Sequence, residues 1–168
     1  MSYATTTDLL TRTGADTIAQ LVDRIMPRVV TGQMLLDVAA NTNLGAYSAD
    51  QLARAAVATT AAQRALKDAT DTIDGYVGTR YTLPLSPQPA LLNRIACDMA
   101  RFILQGDQVP EAVQKKQDAA MKLLADVAAG RLSLGAEAQT GAQPVTNEAP
   151  VLVSGERVWQ RNQSTGFL

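Results

Sequence analysis

The 168-residue chain contains no histidine and only one cysteine, Cys97. Histidine is the usual general base near neutral pH and the commonest metal ligand, so its absence argues against both kinds of site. A single cysteine excludes an intrachain disulfide and gives no indication of an oxidising compartment. Because Cys97 lies in an apolar helical stretch, we expect a buried structural thiol rather than a reactive nucleophile.

Recognisable catalytic motifs are also missing. The chain has no Gly-x-Ser-x-Gly elbow, no Ser-x-x-Lys pair, no Gly-x-x-x-x-Gly-Lys loop and no Gly-x-Gly-x-x-Gly fingerprint. These are the patterns that activate a nucleophile or hold phosphates. A carboxylate pair could still act as acid and base, but such work needs a shaped cavity, and the composition predicts a plain helical core. The sequence therefore predicts a protein that is not an enzyme and uses no cofactor.

The chain also lacks an excess of either charge, because 15 basic and 16 acidic residues give a net charge of −1. This balance argues against a protein whose main function is to bind nucleic acid. The basic residues are also scattered and have no aromatic residues between them, which argues against it as well. No apolar run approaches the roughly 18 residues that span a membrane. The N-terminus has neither a basic cluster nor an apolar run, so no secretion signal is predicted. We expect an aqueous, reducing compartment and no membrane partner.

Helix-forming residues are what the chain has in quantity. Hydrophobic residues make up 46% of it and aromatics only 4%, so the core must be built from alanine and aliphatic side chains, which favour helix. The pattern predicts an all-α fold, a small helical bundle with a long central helix. The first helix begins within residues 5–10 and is closed by Gly14, and the others cover about 16–25, 49–80, 89–105 and 110–129.

Helix starts can be assigned from capping residues. Thr7 or Asp8 is expected to cap the first helix and Asp16 the second. Ser48 and Gln51 have the spacing of a capping box at the start of the long helix. Three prolines within residues 83–89 exclude helix there and predict an extended connector.

Other segments give weaker patterns. Residues 26–47 mix apolar pairs with glycine and asparagine, which predicts an irregular or partly helical excursion with a loop at 41–47. Residues 131–134 have the composition of a short strand. We therefore divide the chain into a helical domain (1–135), a flexible linker (136–150) and an extended, partly β tail (151–168).

The tail holds the predicted partner-binding residues. A lone tryptophan beyond a flexible linker either packs on its own domain or anchors in a partner's pocket, and we favour the partner because interfaces enrich tryptophan and arginine. An extended segment can also add a strand to a partner's sheet. The predicted partner-binding residues are Val151, Val153, Arg157, Val158, Trp159, Arg161 and Phe167.

Asp68, Asp71 and Asp74 share one helical face at three-residue spacing. They could hold a divalent cation, but no metal-loop spacing accompanies them, so a solvated acidic face is the preferred interpretation and no metal site is predicted.

Three blocks of sequence resemble the Mu-like phage head–tail connector family. The first is Tyr-Ala-Thr at 3–5 with Asp-Leu-Leu at 8–10. The second is Ile-Asp-Gly-Tyr-Val-Gly-Thr-Arg-Tyr-Thr-Leu-Pro-Leu at 73–85, and the third is Pro-Ala-Leu-Leu at 89–92 followed by Ile-Ala-Cys-Asp-Met-Ala-Arg at 95–101. The segment 129–135 is similar to the family's end-of-domain sequence. Residues 26–47 are longer than the family's usual link, which predicts an insertion.

The resemblance implies a structural virion protein without catalytic residues. Such an adaptor docks under the portal protein, forms a ring of about twelve neighbouring copies, and meets a tail-side connector, stopper or terminator protein. DNA only passes through the ring, so the expected location is the virion neck, reached from the host cytoplasm during assembly. The alternative is a small helical regulatory or nucleic-acid-binding protein of phage or bacterial origin.

Overall fold

The computed structural model describes residues 2–135, and within them it shows six α-helices, one short 3₁₀ turn and no strand. The all-α prediction is therefore confirmed for this part of the chain. The predicted linker and tail lie outside the described residues. No helix within 2–135 is long and apolar enough to cross a membrane. The helices are α1 (Thr6–Thr13), α2 (Ala15–Val22), α3 (Gly32–Ala40), α4 (Ala49–Val77), α5 (Ala90–Gln105) and α6 (Glu111–Ala128), with the 3₁₀ turn at Leu44–Ala46.

The helix caps agree with the prediction at α4 and differ at α1. Ser48 accepts a hydrogen bond from the backbone N–H of Gln51, whose side chain in turn accepts one from the Ser48 N–H, so the predicted capping box is confirmed. At α1 the cap is Thr5 rather than Thr7 or Asp8, and Asp8 is the third helical residue that closes a second capping box. Satisfied N–H groups fix where both helices begin.

Asp16 was wrongly assigned as the cap of α2. Gly14 precedes that helix and makes no side-chain cap. The Asp16 carboxylate instead accepts a hydrogen bond from the backbone N–H of Gly32 at 3.0 Å, at the start of α3. A Cβ on Gly32 would lie only 2.5 Å from the backbone nitrogen of Asp16, so glycine is required for α3 to approach α2 this closely.

Segment 26–47 is more ordered than the sequence indicated. It contains α3, which begins at a Thr31 side chain bonded to the Met34 N–H and ends at Asn41 in a left-handed conformation with φ 55°. Met34 and Leu35 are buried in the common core. The partly helical alternative is therefore confirmed, since the nine residues of α3 belong to the bundle, and the segment's being an insertion stays a prediction.

The core runs along α4, which packs against α3, α5 and α6, while α5 also contacts α1. Small side chains on one face of α4 let these helices approach closely, and Leu66, Ile73 and Val77 fill the wider end. The buried alanines of α4 are Ala55, Ala58, Ala62, Ala65 and Ala69. Ala56 and Ile103 share the apolar spacing of their helices but are exposed; in the last turn of α5, Leu104 takes the buried position.

Cys97 is fully buried in α5, as predicted. Its burial raises the pKa of the thiol to about 11. A thiol with that pKa stays protonated near neutral pH and is a poor nucleophile. Cys97 is therefore a small apolar packing residue between the helices.

Residues 131–134 were wrongly predicted as a strand. They form bends after α6, and Leu132 and Leu134 pack against the core. Their apolar character, which suggested strand, serves to fold the chain back onto the helices after Gly130, where φ is +75°.

Candidate interaction site

The seven predicted partner-binding residues all lie within 151–168, outside the described residues, so the tail interpretation stays a prediction. Within 2–135 the structure shows three other features that bear on function. The first is a set of contacts among the sequence blocks that resemble the connector family, which we call the signature blocks. The second is an apolar projection between α2 and α3, and the third is a groove beside the N-terminus.

Two of the three aspartates at 68, 71 and 74 are engaged by neighbouring side chains. Asp71 pairs with Lys67 at 2.7 Å, one turn earlier on the exposed face of α4. Asp74 accepts a hydrogen bond from the Tyr3 hydroxyl at 2.5 Å. In the part of the chain that the structure describes, no group of three or more acidic, cysteine or histidine side chains could hold a metal ion. The geometry favours the acidic-face interpretation over a cation site.

Tyr3 joins the first and second signature blocks. Its ring is buried, and burial together with the Asp74 carboxylate raises the pKa of its hydroxyl. The side-chain amide of Asn93 donates to the Tyr3 carbonyl at 3.1 Å and to the Asp8 carboxylate at 3.2 Å. Asn93 lies between the two parts of the third block, so the helix that carries this block also meets the N-terminal segment.

The end of the described chain is held by a C-terminal clasp, formed by Arg80, Tyr81, Gly130 and Leu134. The Tyr81 hydroxyl accepts a hydrogen bond from the backbone N–H of Leu134 at 3.1 Å. The Arg80 guanidinium lies over Gly130 so closely that a Cβ there would be 1.5 Å from Nη1. The clasp joins the second sequence block, at 73–85, to the end-of-domain segment 129–135.

The apolar knob consists of Ile25, Met26 and Val57. Their exposed fractions are 62%, 78% and 69%, far above what large hydrophobic side chains show in a packed core. Ile25 and Met26 lie in the loop after α2. Val57 lies on α4, one turn beyond Arg54, which binds that loop. Exposed apolar side chains brought to one place are typical of a surface that meets another molecule.

Asp23 and Arg54 hold the knob loop in place. The buried Asp23 carboxylate accepts hydrogen bonds from the N–H groups of Val29 and Val30 at 2.9 and 3.0 Å. Burial by itself would raise the pKa of Asp23, but these two N–H groups and the Arg54 guanidinium lower it to about 2. The loop is therefore built around an ionised carboxylate at neutral pH.

Arg54 also binds the loop backbone directly. Its guanidinium donates to Asp23 at 2.6 Å, to the Ile25 carbonyl at 2.7 Å and to the Pro27 carbonyl at 2.9 Å. Arg24 attaches the loop at a second point by donating to the Leu104 carbonyl at the end of α5, at 3.1 Å. Because four polar contacts fix the backbone, the knob is presented in a defined position.

The N-terminal groove lies between residues 2–6 and the middle of α4, with a cavity volume of about 490 Å³. Its floor is apolar, since Ala4 and Leu66 are buried there. Its rim is polar and is formed by Gln63, Lys67, Thr70, Asp71 and Asp74. An apolar floor with a polar rim is the usual character of a protein recognition site.

Sequence reasoning missed the knob. Ile25 follows Ile18, Leu21 and Val22 at helical spacing, so it was assigned to the inner face of the second helix, but that helix ends at Val22. The available signal was local: an apolar pair between two arginines and directly before a proline, at 24–28. The groove had no signal in the sequence, because its two walls come from segments some 60 residues apart.

Known proteins match most of the chain. Residues 3–153 match the family model described as Bacteriophage Mu, Gp36. The Mu-like prophage FluMu protein gp36 of Haemophilus influenzae is 38% identical over 106 residues, which cover 63% of this chain and 74% of that protein. Gene product J of Escherichia phage Mu is 35% identical over 107 residues, which cover 64% of this chain and 75% of that protein.

Proposed function

The chain belongs to the bacteriophage Mu Gp36 family, and from that premise we propose that it is a structural virion protein, the adaptor subunit of the head–tail connector. In this role it docks under the portal and links the DNA-filled head to the tail. Copies of the chain form a ring, DNA passes through the centre, and the tail side meets a further connector protein. The chain performs no catalysis.

The observation that carries this proposal is the set of contacts made by residues in the sequence blocks that resemble the connector family. Tyr3, Asp74, Arg80 and Tyr81 each contact another of the sequence segments that resemble the family. Residues that bind one another in this way hold a scaffold together and fix the position of the segment that ends at Gly135. Such a body suits a protein whose task is to connect partners.

Surface chemistry supports the same proposal. The fixed apolar knob and the N-terminal groove offer two distinct contact surfaces on one small body. Arg54, which could have contributed to a nucleic-acid surface, is occupied by Asp23 and by loop carbonyls. An assembly role uses both surfaces, whereas a regulator of transcription would leave them unexplained.

The decisive experiment is a nonsense mutation of this gene in its phage or prophage. We expect DNA-filled heads and free tails that do not join, and restoration of whole particles by the wild-type gene in trans. Normal tailed particles without the protein would refute the proposal. A loss of late transcription, with neither heads nor tails made, would favour the regulatory alternative.

Binding of the purified chain to the purified portal of the same phage gives a second test. We expect the two to co-migrate in size-exclusion chromatography, and we expect no shift of duplex DNA at the same protein concentration and 150 mM salt. DNA binding without portal binding would contradict the adaptor role.

A further inference from the structure

We propose that the apolar knob of one copy docks into the N-terminal groove of a neighbouring copy, and that this pair of surfaces is the lateral contact of the ring. The inference rests on the proposed adaptor function and names the surfaces that would serve it. Its occupant is a second copy of this chain, and four observations on the described residues support that choice.

The first observation is that the two surfaces lie on opposite flanks of α4. An α-helix turns about 100° per residue. Counted from the buried face marked by Ala62, Arg54 points about 80° to one side and Gln63 about 100° to the other, so these two side chains lie on opposite flanks. Val57 and Lys67 lie nearer the solvent side, about 80° from each other. A body with unlike surfaces on its two sides makes head-to-tail contacts, which generate rings when the rotation closes.

The second observation is the match in size and polarity. Ile25 and Met26 project from a fixed loop, and a cavity of about 490 Å³ can accept both side chains. Ala4 and Leu66 close the floor of that cavity, and docking would remove the exposed apolar surface of Ile25 and Met26 from water. Methionine adapts its shape to an irregular cavity, which suits a contact of this kind.

The third observation is charge. Arg24 and Arg28 flank the knob and are exposed, while Asp23 neutralises Arg54 beneath it. On the rim of the groove Lys67 pairs with Asp71, so Asp74 leaves that side with one net negative charge. The knob side is thus positive and the groove side weakly negative, which favours contact between unlike sides of two copies.

The fourth observation concerns strength. Three apolar side chains cover far less than the roughly 800 Å² per partner of a stable protein pair. A single contact should therefore be weak, and the isolated chain should be a monomer or weakly associated at micromolar concentration. A portal that holds several copies side by side raises their effective concentration, so the lateral contacts form together on that template.

Cysteine cross-linking of the full-length chain tests the contact. One sample carries Met26→Cys, a second carries Gln63→Cys with a size tag, and the two are mixed with a short bismaleimide. Both positions are exposed or on the rim. The native Cys97 is buried with a raised pKa, so the wild-type chain should not react and serves as the blank.

We expect the mixed dimer between positions 26 and 63 to exceed the mixed dimer with Gln114→Cys by at least about tenfold. Gln114 is exposed on α6, away from the groove, and serves as the matched control. A chain carrying both Met26→Cys and Gln63→Cys should give a ladder of trimers and larger species, because heterologous contacts propagate. The mixing is done with and without the purified portal.

Other results overturn the inference. Equal cross-linking to the Gln114→Cys control, or dimers between two Met26→Cys chains only, would show that the knob does not enter the groove. Preferential coupling of Gln63→Cys to Trp159→Cys would make the C-terminal tail the occupant. Absence of the ladder both with and without the portal would remove the lateral contact altogether.

The outcome for the adaptor function is read separately from portal binding. A chain that binds the portal but gives no ladder overturns the lateral contact and leaves the adaptor role standing. A ladder without portal binding does the reverse. The double variant Ile25→Asp, Met26→Asp adds an independent check, because charges cannot enter an apolar floor. We expect the same far-ultraviolet helix signal and a cross-link between Arg28→Cys and Gln63→Cys reduced about tenfold; an unchanged yield would contradict the inference.

Discussion

The knob loop and the C-terminal clasp are both held by an arginine from the region of α4, but their apolar side chains point in different directions. In each, an arginine on or just beyond α4 lies against an irregular segment: Arg54 binds the loop after α2, and Arg80 covers Gly130 after α6. The segment at the clasp turns its leucines onto the core, whereas the segment at the knob turns Ile25 and Met26 toward solvent. A fixed backbone with outward apolar side chains indicates a surface kept for another molecule.

The largest effect should come from Arg54→Ala. It leaves Asp23 buried and ionised without its cation and frees the carbonyls of Ile25 and Pro27. We expect a loss of about 2–3 kcal/mol in the free energy of unfolding, measured by urea denaturation. The double variant Asp23→Ala, Arg54→Ala is the control, and it should lose less than the sum of the two single variants. Strict additivity would show that the two side chains act independently.

A smaller loss should follow Gly130→Ala at the clasp. The new Cβ meets the Arg80 guanidinium, and alanine is disfavoured at φ +75°. We expect a loss of about 1–2 kcal/mol. Gly135→Ala separates the two causes, because its φ is +72° but no atom of the described residues 2–135 lies within 4 Å of the added atom. Equal losses at both positions would mean that the contact with Arg80 contributes nothing.

The third-largest effect should be a loss of stability in acid, which arises in the knob loop. The pKa of Asp23 is lowered in the folded chain to about 2 from 3.8, so the folded state favours the carboxylate. Its contribution is complete above pH 4 and is lost as the pH falls from about 4 toward 2. We expect a loss on the order of 1 kcal/mol over this window, after allowing for screening by solvent. Unfolding of Asp23→Asn, followed by circular dichroism, should depend less on pH there; the same slope as wild type would assign the effect to another carboxylate.

The smallest effect should be that of Met26→Ser. Met26 is 78% exposed and supports nothing in the core, so the free energy of unfolding should change by less than about 0.5 kcal/mol. Thermal unfolding monitored at 222 nm provides the measurement. A large destabilisation would mean that the knob packs within its own chain and that its contrast with the clasp is mistaken.

The elements that could be predicted from the sequence are those whose causes are local. The capping box at Ser48 and Gln51, the alanine-rich period of α4 and the burial of Cys97 depend on residues within a few turns of one another. Helix α3 was not recognised because glycine at position 32 usually interrupts a helix. Gly32 instead allows α3 to approach α2 closely, and this depends on a contact with Asp16 that no local pattern reveals.

The knob and the clasp depend on still longer separations. Helix α2 ends at Val22 because the Asp23 carboxylate takes the N–H groups of Val29 and Val30 while Arg54, 31 residues away, binds the same carboxylate. The stretch at 18–25 keeps its helical spacing through that end, so periodicity alone extends the helix too far. The clasp pairs Tyr81 with Leu134 across 53 residues. The family resemblance brought these segments to notice but could not show that they touch.

The clasp also decides how the body would bear a mechanical load. Tension applied to the chain beyond Gly135 reaches the N–H of Leu134, which is bound to the Tyr81 hydroxyl. Tyr81 follows directly after the end of α4, the longest helix of the bundle. The pull is therefore shared between α6 and α4 and does not peel α6 away by itself. A pull anchored in this way loads the C-terminal end of α4 together with the end of α6.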